Sequence, residues 1–156
     1  MQLMEEVFFS FTFGGETLSL AAALATMEKL QRQPVVETLR RQGQKILDYL
    51  RVAIAKHGAS KFLSVAGHPS WNFLIIGDAP PYSQWQIKTL YMQEVLARGI
   101  LGLGTHNMSF SHTDEDLQKL FQVYDAVIPL LVNAVENRSL EAQLTCRPLE
   151  PLFKVR

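Results

Sequence analysis

The chain has 156 residues, 47% of them hydrophobic, and its fifteen basic and fifteen acidic residues cancel. That is one domain's length with enough apolar side chain for a core, and basic residues dispersed in this way exclude the cationic face that nucleic acid or an anionic membrane requires. One cysteine, Cys146, excludes an internal disulfide and has no second cysteine or Cys-His motif nearby for zinc.

Glu5 and Glu6, without a basic lead, do not fit a signal peptide. No apolar run reaches the roughly 18 residues of a membrane span. These features predict a cytoplasmic protein with an inert thiol.

Residues 7–13, VFFSFTF, are β-branched and aromatic on both alternating faces and predict a buried strand. Gly14 and Gly15 break it. Residues 17–30, rich in Leu and Ala, predict a helix, and Ala21, Ala22 and Ala25 give it a face for close packing. Pro34 separates it from a second helix over 35–57. There Val36, Leu39, Ile46, Leu47, Leu50 and Ile54 recur at helical spacing, and Gly58 is the stop.

Two short apolar runs, 62–66 and 71–76, flank Gly67-His68-Pro69-Ser70 and predict a β-hairpin. After a Pro-Pro loop, Ser83 suits the N-cap of a helix over 83–98 that Gly99 ends. Two further strands are expected at 100–103 and 107–111, around Gly104. Thr113 and the acids after it mark the start of a helix over 114–135. Residues 139–156 lack periodicity and predict a tail packed on the surface. Helices interleaved with a small, mostly antiparallel sheet define an α+β domain.

A Gly-Gly break between a strand and a helix is a place where backbone amides can approach a phosphate; it also serves as a plain connector. Of the four histidines, His57 fits a helix C-terminus and His68 an exposed turn, and His112 fits the start of the last helix. His106 has no second ligand at metal spacing. Asp114, Glu115 and Asp116 are explained by the positive end of their helix. Trp71 suits a core position or the mouth of a site.

FTFGGETLSLAAALATMEKL resembles the segment after the catalytic lysine of class III, fold-type I pyridoxal-phosphate (PLP) aminotransferases, nearest the glutamate-1-semialdehyde aminomutase branch. GHPSW and YMQEVLARGILGLGTHNMSFSHTDEDL follow in the family's order, so the resemblance runs to about residue 138. It implies a small α+β domain of a homodimeric PLP enzyme. In such an enzyme Thr12, with Phe11, contacts the cofactor phosphate of the neighbouring subunit, and His106 and Trp71 stand as candidates for a substrate wall.

The resemblance also implies a domain plan. Residues 1–33 would be a strand-turn-helix piece of the large domain, 34–138 the small domain and 139–156 a tail. No lysine precedes Thr12, so the family's cofactor-bonding lysine has no counterpart and the chain alone is expected to be inactive. The expected substrate is an amino-acid-like or amino-sugar-like small molecule, and no metal is expected. Residues 104–107, Gly-Thr-His-Asn, lack the family's carboxylate-binding arginine. This departure leaves open both mutase activity and an ordinary α-carboxylate clamp. The other reading of the chain is a free-standing, non-catalytic dimerisation or interaction module derived from the same fold.

Overall fold

The computed structural model describes residues 12–150. The chain forms two compact units that divide after Val36.

In the first unit, residues 12–15 form a turn, closed by the Glu16 N–H on the Phe13 carbonyl at 3.1 Å. Helix α1 (Thr17–Arg32) follows. Its Leu- and Ala-rich sequence favours the helix intrinsically. The Glu16 carboxylate caps it, accepting from the Leu18 N–H at 2.7 Å and the Ser19 N–H at 2.6 Å. It stops at Gln33, which is extended because Pro34 follows. None of its residues is buried, so the alanine face expected to pack closely does not do so here. The predicted strand over 7–13 lies mainly outside the described residues, and its described end, Thr12 and Phe13, belongs to the turn.

The second unit holds the core. Helix α2 (Val35–Lys56) buries Ile46, Leu47, Leu50, Ala53 and Ile54 on one stripe. Val36, expected on that stripe, is 70% exposed, whereas Val35 and Thr38 on either side of it are buried. Gly58 (φ 68°) ends the helix in the left-handed conformation that glycine adopts without strain.

Strands β1 (Leu63–His68) and β2 (Trp71–Ile76) form the predicted hairpin, with Leu63 opposite Ile76 and His68 opposite Trp71. Its turn is only Pro69-Ser70, so His68 ends a strand rather than lying in the turn. Gly43 of α2 lies against this turn. A Cβ there would come within 1.6 Å of the Pro69 carbonyl oxygen, so no larger residue fits without moving backbone.

Helix α3 (Gln84–Ala97) begins with a reciprocal cap between Ser83 and Gln86. The two strands expected at 100–103 and 107–111 do not form. Instead, β3 (Thr105–Asn107) pairs antiparallel with β2 and completes a three-stranded sheet of order β1-β2-β3. Leu101 and Leu103 are exposed, and Gly104 (φ 85°) turns the chain into β3 while its carbonyl accepts from the Leu74 N–H at 2.8 Å.

Helix α4 (Asp114–Glu136) starts with the reciprocal Thr113–Asp116 cap and buries Leu117, Tyr124, Val127, Ile128 and Leu131. The tail contains helix α5 (Leu140–Gln143). It is more than a surface segment, because Leu140 is fully buried in the core. The tail is also tied to α3: the Thr145 and Leu149 amides donate to Gln93 Oε1 and Thr89 Oγ1, each at 2.8 Å.

Candidate functional site: a capped turn and a cavity floored by a polar relay

Thr12 is exposed in the first unit's turn, and a Cβ on Gly15 would meet nothing within 4 Å. The turn is therefore open to a ligand. The N-terminus of α1, which follows this turn directly, is already occupied by the Glu16 carboxylate. The hydrogen bond from Ser19, then the Ser19 and Leu18 amides, hold that carboxyl below its usual range. An anion sits where a second anion would have to come, so a phosphate contact on this turn is limited to Thr12 and the turn amides. Phe11 lies outside the described residues.

In the second unit, alternation along β2 and β3 decides where the other two candidates go. Asn72 pairs with His106 and Trp71 with Asn107, so Trp71 and His106 lie on opposite faces of the sheet. The structure does not bring them together as one wall. Trp71 is 56% exposed and packs at a tilt of 53° against Phe73 with ring centres 5.3 Å apart; the core position is not the one it takes.

His106 faces inward and is buried. Its Nδ1 lies 2.8 Å from Asn72 Oδ1 and its Nε2 2.6 Å from the Tyr124 hydroxyl, which is 3.1 Å from the Tyr91 hydroxyl. The donors can be assigned in order. Asn72 Nδ2 donates to the Pro69 carbonyl at 3.0 Å, so its Oδ1 is the acceptor that faces His106. His106 Nδ1 must then carry the proton, and a neutral ring leaves Nε2 to accept from Tyr124. Tyr124 in turn accepts from Tyr91, whose oxygen takes the Gly104 N–H.

Burial pushes the His106 pKa down to about 4, against a smaller opposing effect from a hydrogen bond to Asn72, so the ring is neutral at neutral pH. Burial likewise raises both tyrosines. This relay ties β2, β3, α3 and α4 together.

The relay forms the floor of a cavity of about 570 Å³. Ile46, Met108, Leu117 and Leu120 give it apolar walls, and the loop from Gly99 to Gly104 edges it. At the rim, Lys119 Nζ lies 3.7 Å from where a Gly99 Cβ would stand. His112 is also at the rim, and its Nδ1 accepts from the Ser109 N–H at 3.1 Å. The His112 carbonyl accepts from the buried Gln42 amide.

Asn72, Tyr91 and Tyr124 were not singled out from the sequence. The available signal was two tyrosines on the apolar stripes of α3 and α4, since a buried tyrosine hydroxyl requires a partner. Among the described residues no group of three His, Cys, Asp or Glu side chains is arranged for a metal, and no helix is long and apolar enough to cross a membrane. Asp114 pairs with Lys45 at 2.7 Å and Asp116 is the cap, so both acids have structural partners.

No protein-family model matches the chain, and no curated protein does. Among solved structures it is similar to the FumI protein of a Sphingopyxis species, described as its PLP internal aldimine form, with a TM-score of 0.68 and 22% identity. The likeness covers 83% of this chain but 31% of that one, so the chain spans under a third of the neighbour's length. At this identity the likeness establishes the fold. The fold class expected from the sequence, α+β with a small, mostly antiparallel sheet and helices packed on it, is the one the chain has, and part of the FumI chain shares that fold.

Proposed function

We propose that this chain is the C-terminal part of a cytoplasmic, homodimeric PLP-dependent aminotransferase or aminomutase. Residues 1–33 belong to its large domain, 34–138 form its small domain, and 139–156 form the tail. The observation that carries this reading is the fold likeness to PLP-bound FumI over 83% of the chain. The motifs FTFGG, GHPSW and SFSHTDEDL, in the order of the class III family, support it. The aminomutase branch rests on those motifs alone, and the fold likeness adds nothing for it.

Thr12 contacts the phosphate of the partner subunit's cofactor through its hydroxyl and the turn amides. The capping Glu16 keeps α1's own N-terminus out of that contact. When bound, PLP supplies the electron sink that amino-group transfer needs. The substrate is an amino-acid-like or amino-sugar-like molecule. The chain by itself carries no catalytic residue, because no lysine precedes Thr12 and Lys29 and every later lysine fall outside the family's position.

Borohydride reduction of the chain in the presence of PLP, followed by peptide mass mapping, tests this. The expected result is scattered, substoichiometric lysine labelling. One lysine labelled stoichiometrically would give the chain its own cofactor-bonding residue and overturn its assignment as a partial enzyme.

A further inference from the structure

The cavity above the relay has a polarity that selects a ligand. Its floor offers no hydrogen-bond donor. His106 Nδ1–H is spent on Asn72, the Tyr124 hydroxyl on His106, the Tyr91 hydroxyl on Tyr124 and the Gly104 N–H on Tyr91. An anionic or carbonyl group pushed to the floor would find only lone pairs and a neutral ring, and its desolvation would go uncompensated.

The unspent donors stand at the rim. His112 Nδ1 accepts from the Ser109 amide, so the neutral ring carries its proton on Nε2. The Lys119 ammonium makes no hydrogen bond or close ion pair among the described residues; it acts on the Asp116 carboxylate at the same rim only through space, a smaller effect on that carboxyl than the Thr113 amide and hydroxyl. Asp116, also at the rim, has its Oδ2 engaged by the Thr113 N–H and hydroxyl at 2.8 and 3.0 Å. Between floor and rim the walls are Ile46, Met108, Leu117 and Leu120, and the volume of about 570 Å³ lies in the range of small-molecule sites.

We propose that this cavity binds a small apolar monocarboxylate, seated tail-first on the relay, with its carboxylate at the rim on Lys119 Nζ and His112 Nε2–H. All the residues concerned lie in the Glu37–Arg156 unit and the titration needs no PLP, so the test reads this cavity whether or not the chain completes a PLP enzyme. Failure of either leaves the other standing.

The test is titration of the full chain, without PLP, with phenylbutyrate and with phenylbutanol, followed by the methyl resonances of Leu117, Leu120 and Met108. Phenylbutyrate is expected to shift all three and to bind roughly five- to ten-fold more tightly than the alcohol, from charge-assisted contacts at a partly open rim. Lys119→Ala, on an exposed helix position that should not affect folding, should reduce the acid to the affinity of the alcohol and leave the alcohol unchanged. Lys119→Arg should preserve the preference. Equal affinity for acid and alcohol, an acid preference that survives Lys119→Ala, shifts confined to other residues, or no binding would each overturn the proposal.

Discussion

Removing the ionisable ring of His106 should change how stability depends on pH. Its pKa is about 4 in the folded protein against 6.5 for the free side chain. The folded state therefore binds fewer protons than the unfolded state between those values. The contribution is fully present above pH 6.5 and is lost as pH falls towards 4. A difference of this size corresponds to about 3 kcal/mol in total, of which about 2 kcal/mol is lost by pH 5.

His106→Asn cannot titrate and keeps a polar side chain opposite Asn72. It will be less stable than wild type at neutral pH, because Tyr124 loses its acceptor; a broken buried hydrogen bond costs about 1–3 kcal/mol. The gap should narrow steadily between pH 7 and pH 5 as wild type loses the histidine contribution and the variant does not. Urea unfolding at half-unit pH steps measures this. The carboxyls held low by their partners, Asp114 first by Lys45 and Asp116 first by the Thr113 amide, lose their contributions below their ordinary values and are common to both proteins. A gap that stays constant from pH 7 to pH 5 would refute the buried, neutral relay.

Gly43→Ala should be among the most damaging small substitutions, since its methyl would stand 1.6 Å from the Pro69 carbonyl oxygen and must displace the hairpin turn that also anchors Asn72; a loss of about 1–3 kcal/mol or more is expected from denaturant midpoints. Leu140→Ala should cost about 2–5 kcal/mol, as for a core leucine, although the residue lies in a segment with little periodicity. Thermal melts check it, and a change near zero would detach α5 from the core.

Legibility in the sequence followed the chemistry of each segment. The two capped helix starts at Ser83 and Thr113 were readable because a cap is a local pattern, and both reciprocal caps form. The hairpin was readable from two apolar runs around Gly-His-Pro-Ser, of which only Pro69-Ser70 is turn. The third strand was misplaced because apolar content pointed to 100–103 and 107–111. The segment that pairs is Thr-His-Asn, held by a buried polar partner, Asn72, that lies 34 residues away. No period-2 apolar signal exists for such a strand. Leu140 was missed for the reverse reason: one buried leucine in a short turn of helix makes no pattern.

At the candidate site, His106 was noticed but its role was not. Whether a histidine lines a wall or closes a relay depends on which residues oppose it across the sheet and on the neighbouring helices. By its residue type Trp71 suited a core position or the mouth of a site. Its exposure follows from a register that gives the inward position to Asn72.

The central claim, that this chain supplies a cofactor contact to a partner subunit, is tested most directly by PLP affinity in hybrid dimers of the enzyme it is proposed to complete. Thr12→Ala in both subunits should weaken PLP retention roughly ten- to hundred-fold, the worth of one hydrogen bond to a charged group. In a hybrid, one subunit carries Thr12→Ala and the intact cofactor-bonding lysine, while the other keeps Thr12 and lacks that lysine. The live site then faces its partner's normal Thr12 and should hold PLP with near wild-type affinity. A live site as weak as in the doubly substituted dimer would contradict the account, because Thr12 would then act within its own subunit.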